Sequence, residues 1–146
     1  MSERSFSLPE RAHVVTVDMG YGHARAAYPL RHRAADGHMW YANAYEGMLE
    51  RDRTWWKNLQ QGYETVSRMQ QIPLFGKGVF AIMDRFQAIP TPYPMSLSVR
   101  PTIQLQQIYH AIKQGLGSHL VGVLEKIERL PLITTFFTVA FAAEAH

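Results

Sequence analysis

The sequence predicts an α/β fold built on a parallel sheet. Three observations carry this reading. The run Val14-Val-Thr-Val-Asp18 is β-branched and nearly continuous, as in a strand covered on both faces. A glycine-punctuated turn, Met19 to Gly22, then leads into the alanine-rich stretch His23 to Ala35. A second short strand pattern follows at His38 to Ala42, which fits the strand–helix–strand spacing of one βαβ unit.

Taken in order, residues 1–12 are polar and read as a flexible lead-in. The first strand is expected over His13–Asp18, and the first helix over His23–Ala35 with Asp36-Gly37 as its stop. Pro29 removes an amide donor, so that helix should be distorted near it. After the second strand, apolar residues at Leu49, Trp56, Leu59, Tyr63, Val66 and Met69 recur at helical steps. They predict one long helix from about Tyr45 to Gln71, ended by Ile72-Pro73. A short helix is expected near 78–87, then an extended connector through Pro90, Pro92 and Pro94. Pro101 suits the start of another helix, whose stripe is Leu105, Ile108, Ile112 and Leu116. Gly115 and Gly117 should break it, and Ser118 should cap a continuation that turns Leu120, Leu124 and Ile127 inward and closes at Pro131. Leu132–Val139 reads as the third strand, and Ala140–His146 as the beginning of a further helix.

The expected organisation is therefore one domain over 13–146 with a helical insert at about 45–130. Three parallel strands would cover each other poorly, so the sheet is expected to be part of a larger α/β domain. The chain holds 146 residues, 47% hydrophobic and 18% charged, which suits a globular core. There is no cysteine, which excludes disulfides, thiolate metal sites and cysteine nucleophiles. The net charge of +3 favours anionic partners, but no five-residue window is rich in Lys and Arg, so a nucleic-acid partner is not expected. The most apolar run, Leu130 to Ala143, is 14 residues long and carries three threonines. It falls short of the roughly 20 residues of a membrane span. No signal segment is visible, so a cytoplasmic location is expected.

The chemistry is expected in the first turn. Gly20 and Gly22 should allow positive φ and close approach of a ligand to the backbone. The helix start behind them presents free amides to an anion. Asp18 ends its strand where open α/β sheets bind ligands. His23 supplies an imidazole suited to general-base work, Tyr21 lies in the loop, and Arg25 could add a phosphate contact. Arg25 stands where G-x-G-x-x-G has its third glycine, and no Lys-Ser/Thr follows. Dinucleotide and triphosphate sites are therefore disfavoured.

The stretch Asp18-Met-Gly-Tyr-Gly-His-Ala-Arg-Ala-Ala27 resembles the first strand–loop–helix of GT-B glycosyltransferases. The similarity is to the monogalactosyldiacylglycerol synthase and diacylglycerol glucosyltransferase families and to the lipid-linked N-acetylglucosaminyltransferases of peptidoglycan synthesis. The family loop is richer in glycine; here Met19 and Tyr21 interrupt it. The resemblance implies the N-terminal, Rossmann-like half of such an enzyme, which receives the acceptor. It implies that His23 is the base that deprotonates the acceptor hydroxyl. It further implies a nucleotide-sugar co-substrate, a lipid or membrane-proximal acceptor, and a donor-binding domain or second chain that these residues do not contain. No tightly bound cofactor is implied.

A peripheral position at the inner membrane face would need a contact surface. Trp55 and Trp56 beside Arg51, Arg53 and Lys57 are one candidate, and Phe75, Lys77 and Phe80 are the other. The seven histidines show no HExxH spacing, so no metal site is expected. There is no Gly-x-Ser-x-Gly elbow, and Glu64 and Asp84 are isolated carboxylates. The alternative reading is a non-catalytic α/β module that binds a phosphorylated ligand or a protein partner through the same loop.

Overall fold

The computed structural model describes residues 9–69 and 103–146. Strand β1 is Ala12–Thr16, helix α1 is Tyr21–Ala27, a 3-10 helix spans Tyr28–Arg33, and strand β2 is Ala34–Tyr41. Then come α2 (Glu50–Met69), α3 (Ile103–Lys113), α4 (Ser118–Ile127), strand β3 (Leu132–Thr134) and α5 (Phe137–Ala145). The expected short helix and proline connector between them lie outside the described residues.

The three strands form one parallel sheet in the order β2–β1–β3. The central strand is buried throughout, as its apolar run requires. Its alternation feeds two cores. Val15 and Val17 meet Ala42, Tyr45, Met48, Trp56, Leu120, Leu124 and Val139 on one face. Val14 meets Ala27 and Ala34 on the other. The sheet is thus covered by α1 on one face and by the α2, α4 and α5 side chains on the other, a mixed α/β arrangement. At its lower end β1 is anchored by two bonds. The His13 amide donates to Pro131 O at 2.8 Å, and the imidazole Nε2 donates to Glu128 O at 2.7 Å.

Several expected boundaries move, each for a local reason. The first helix does not run to Ala35. Pro29 stands in the first turn of the 3-10 helix, and the backbone turns extended at Ala34. Asp36-Gly37 is no helix stop; it lies inside β2. Between paired positions β1 advances from Ala12 to Val14 while β2 advances from Ala34 to Met39, so the pair is locally irregular there. The long helix begins at Glu50 rather than Tyr45, because Tyr45 and Met48 belong to the turn that fills the core. Of its expected inward face, Trp56 is buried, but Leu49 and Tyr63 are exposed. Ser118 does not cap α4. Its hydroxyl donates back to Gly115 O at 2.7 Å, and Gly117 takes the cap position. Leu120 and Leu124 point inward, whereas Ile127 is exposed at the helix end.

The largest correction falls on the third strand, which stops at Thr134 rather than Val139. The Thr134 hydroxyl accepts a bond from the Phe136 amide at 3.1 Å and so closes a turn. Helix α5 starts at Phe137, and Thr138, Val139 and Ala142 form its buried side. The aromatic, β-branched composition suggests a strand, but the spacing of the buried residues is helical.

Candidate functional site

The chain leaves β1 toward α1 on one face and leaves β3 toward α5 on the other. Adjacent parallel strands whose continuations diverge in this way leave a crevice at their carboxyl ends, where open α/β sheets bind ligands. The loop after β1 and the turn after β3 meet at that crevice.

The loop is held from the β2 side. Asn43 Oδ1 accepts from the Asp18 amide at 2.8 Å, and Asn43 Nδ2 donates to Asp18 O at 3.0 Å. This double clamp leaves the Asp18 residue exposed. Gly20 has φ 82° and immediately precedes α1. An L side chain is strained there, so glycine is required by the turn. Gly22 is different: its expected positive φ is not observed. It lies in the first turn of α1, and a Cβ on it would meet nothing within 4 Å. Gly22→Ala is therefore expected to stabilise the fold by roughly 0.5–1 kcal/mol. Thermal denaturation checks this, and a lowered midpoint would contradict it. Tyr21 is 88% exposed, and Arg25 also faces solvent.

His23 is half-buried and bonded to the other side of the crevice. Its Nδ1 lies 3.0 Å from the carbonyl oxygen of Thr135, and the Thr135 hydroxyl donates to His23 O at 3.2 Å. The Phe136 ring meets the imidazole edge to face, with centroids 5.0 Å apart. A carbonyl only accepts, so Nδ1 carries the proton of the neutral ring. Nε2 is then left with its lone pair, and it has no hydrogen bond to a described residue. His23 also lines a cleft of about 190 Å³, together with Met19, Leu59, Tyr63, Gln104, Ile108, Phe136, Phe137 and Thr138. No Asp, Glu, Lys or Arg is among these described lining residues. The free nitrogen of the neutral ring can accept a proton from a hydroxyl.

Residues the sequence did not single out thus complete the site: Phe136 and Gln104 at the cleft, Thr135 bonded to His23, and Asn43 behind the loop. Thr135 is concealed in a run that reads as strand, and Asn43 follows the second strand with no motif around it.

Of the tryptophan pair, Trp56 is buried in the core. Trp56 is 6% exposed, with its ring 5.0 Å from Trp55 and 5.8 Å from Phe136. Trp55 is half-buried and packs against both helical cores. Both rings support the wall behind the cleft. Phe75, Lys77 and Phe80 lie outside the described residues. Among the described residues no three His, Asp or Glu side chains converge as metal donors, and no helix is long and apolar enough to cross a membrane.

A second polar group lies behind the site. The Tyr45 hydroxyl is 3.0 Å from His119 Nδ1, with the two rings stacked at 5.8 Å. Burial, and then the charge of Asp52, push the phenol up to about 12. It keeps its proton and shares a hydrogen bond with His119 Nδ1. The folded state holds this proton more tightly than the unfolded chain, where tyrosine titrates near 10. Its stabilising effect is complete below pH 10 and is lost as the pH rises through 12. Relative to Tyr45→Phe, the wild type should therefore lose stability over that window. Chemical denaturation across the pH range measures the gap, and a constant gap would sink the idea.

Fold and site together define a mixed α/β protein with a small parallel sheet and a histidine at its carboxyl-end crevice. No protein-family model, no curated protein and no solved structure matches the chain.

Proposed function

We propose that the chain is a Rossmann-like acceptor domain of a GT-B-type glycosyltransferase. One observation supports this reading above the others: His23 spends Nδ1 on the Thr135 carbonyl and leaves Nε2 free beside an apolar cleft at the carboxyl ends of β1 and β3. In the reaction, an acceptor hydroxyl on an apolar body enters the cleft. Nε2 takes its proton as the oxygen attacks the anomeric carbon of a nucleotide-sugar. The C–O bond to the diphosphate breaks as the new glycosidic bond forms. The donor is held by a donor-binding domain or second chain, and the acceptor is a lipid presented at the inner face of an anionic membrane.

The open approach at Gly20 and Gly22 favours a second reading, a module that binds a phosphorylated ligand through the loop without catalysis. The two are separated by incubating the full-length protein with labelled UDP-hexoses and vesicles containing diacylglycerol. Label in the lipid phase is the expected result. Saturable binding of phosphate esters with no transfer from UDP-glucose, UDP-galactose or UDP-N-acetylglucosamine would replace the first reading with the second.

A further inference from the structure

We propose that Thr135 is the positioning residue of this site: it fixes His23 in the tautomer that leaves Nε2 free. The inference rests on the reading of His23 as a base, but its main measurement does not. Thr135 engages His23 twice. Its carbonyl receives Nδ1–H at 3.0 Å, and its hydroxyl donates to the His23 carbonyl at 3.2 Å. The Thr135 hydroxyl has one proton, which that second bond uses. The bond of 2.9 Å between the Thr16 and Thr135 hydroxyls therefore has Thr16 as donor. The direction is set along the whole chain, from Thr16 on β1 to Thr135 beyond β3 and on to the backbone of α1.

The position of these groups explains what they do. Thr16 is fully buried at the last position of β1, and Thr135 follows the last residue of β3. The hydroxyl chain therefore spans the divergence of the two strands, where no ladder bond can hold the backbones together. It locks the Thr135 carbonyl against the imidazole. Free histidine favours the proton on Nε2, so the opposite tautomer at His23 needs such a fixed acceptor at Nδ1. Phe136 follows directly and packs its ring on the imidazole, which limits ring rotation.

The test is long-range 1H–15N NMR of the histidine side chains in 15N-labelled protein at a pH where His23 is neutral. Wild type is expected to show His23 protonated at Nδ1. Thr135→Val keeps the shape and the carbonyl but removes the hydroxyl, and should move the tautomer ratio toward Nε2–H by about three- to tenfold. Thr135→Ser should restore the wild-type ratio. If Thr135→Val does not fold, Thr16→Val tests the same chain one bond further out and should shift the ratio in the same direction. Nε2–H as the main tautomer in wild type, or an unchanged ratio in the folded valine variants, would overturn the proposal. In the transfer assay Thr135→Val should lower kcat with little change in KM. If the tautomer responds as expected but wild type transfers no sugar, the positioning role stands and the acceptor reading falls.

Discussion

Under the proposed transfer reaction, replacing His23 with asparagine is expected to lower turnover by about 10²- to 10⁴-fold, the usual contribution of a positioned general base. Asparagine is chosen for its geometry. Its Nδ2 stands close to the place of the imidazole Nδ1 and can still donate to the Thr135 carbonyl, which lies 3.0 Å from Nδ1 in the native chain. What is removed is Nε2, the nitrogen proposed as the base. The bond between the Thr135 hydroxyl and His23 O involves only the backbone of residue 23 and also survives. Stability should fall by about 0.5–1.5 kcal/mol, the loss of the edge-to-face contact with Phe136, with the bonds to Thr135 kept. KM for the lipid acceptor should change little, because the proton moves only as the transition state forms. A variant with wild-type kcat would remove His23 from the mechanism. A variant that loses stability and turnover in proportion would show a structural role instead.

The order of elements around the crevice was legible because it depends on local patterns. A continuous β-branched run marks a fully buried strand, and Gly20 marks a turn that needs positive φ. Pro29 announced the loss of regular helix that appears as the 3-10 segment. What could not be read depends on partners far away in the chain. Thr135 matters because of His23, and their bond spans 112 residues. Asp52 gives no motif, yet it is 2% exposed and is held by contacts from two directions. Its Oδ2 accepts from the Gly117 amide at 3.2 Å and its Oδ1 from Arg51 Nε at 3.2 Å. Arg51 in turn donates to Gln114 O and Gly115 O at 2.8 and 2.6 Å, so the first turn of α2 grips the α3–α4 turn. A pattern of periodic hydrophobicity treats both residues as surface charges. The same limit explains Trp56. Its basic neighbours suggested a membrane interface, but Phe136 and the core around Val15 and Leu120 take it up.

That α3–α4 turn carries the second large expected effect. Gly117→Ala should destabilise the chain by about 2–5 kcal/mol, measured by urea denaturation. Two independent costs add. The residue has φ 80°, and an L side chain in the left-handed region costs roughly 1–2 kcal/mol. A Cβ would also stand 2.7 Å from the Cβ of Ala142 on α5, a contact that only a shift of one helix can relieve; overpacking of this kind costs about 1–3 kcal/mol. The Asp52 bond to the Gly117 amide opposes such a shift from the other side. Gly115→Ala gives a comparison in which no Cβ faces Ala142. Gly115 has φ 95°, and a Cβ would stand 3.1 Å from guanidinium atoms of Arg51, which its bonds to Gln114 O and Gly115 O hold in place. It should lose at least the backbone cost of about 1–2 kcal/mol. Ala142→Gly isolates the second, because it removes the atom that the new Cβ meets. In a double-mutant cycle, Ala142→Gly should cost about 1 kcal/mol alone as a helical glycine and recover about 1–3 kcal/mol beside Gly117→Ala. A coupling energy near zero would mean that α5 does not press on this turn. The wall that carries Phe137 and Thr138 into the cleft would then be held by the sheet, the aromatic contacts and the packing of Ala142 on Ile108 and Ile112 of α3.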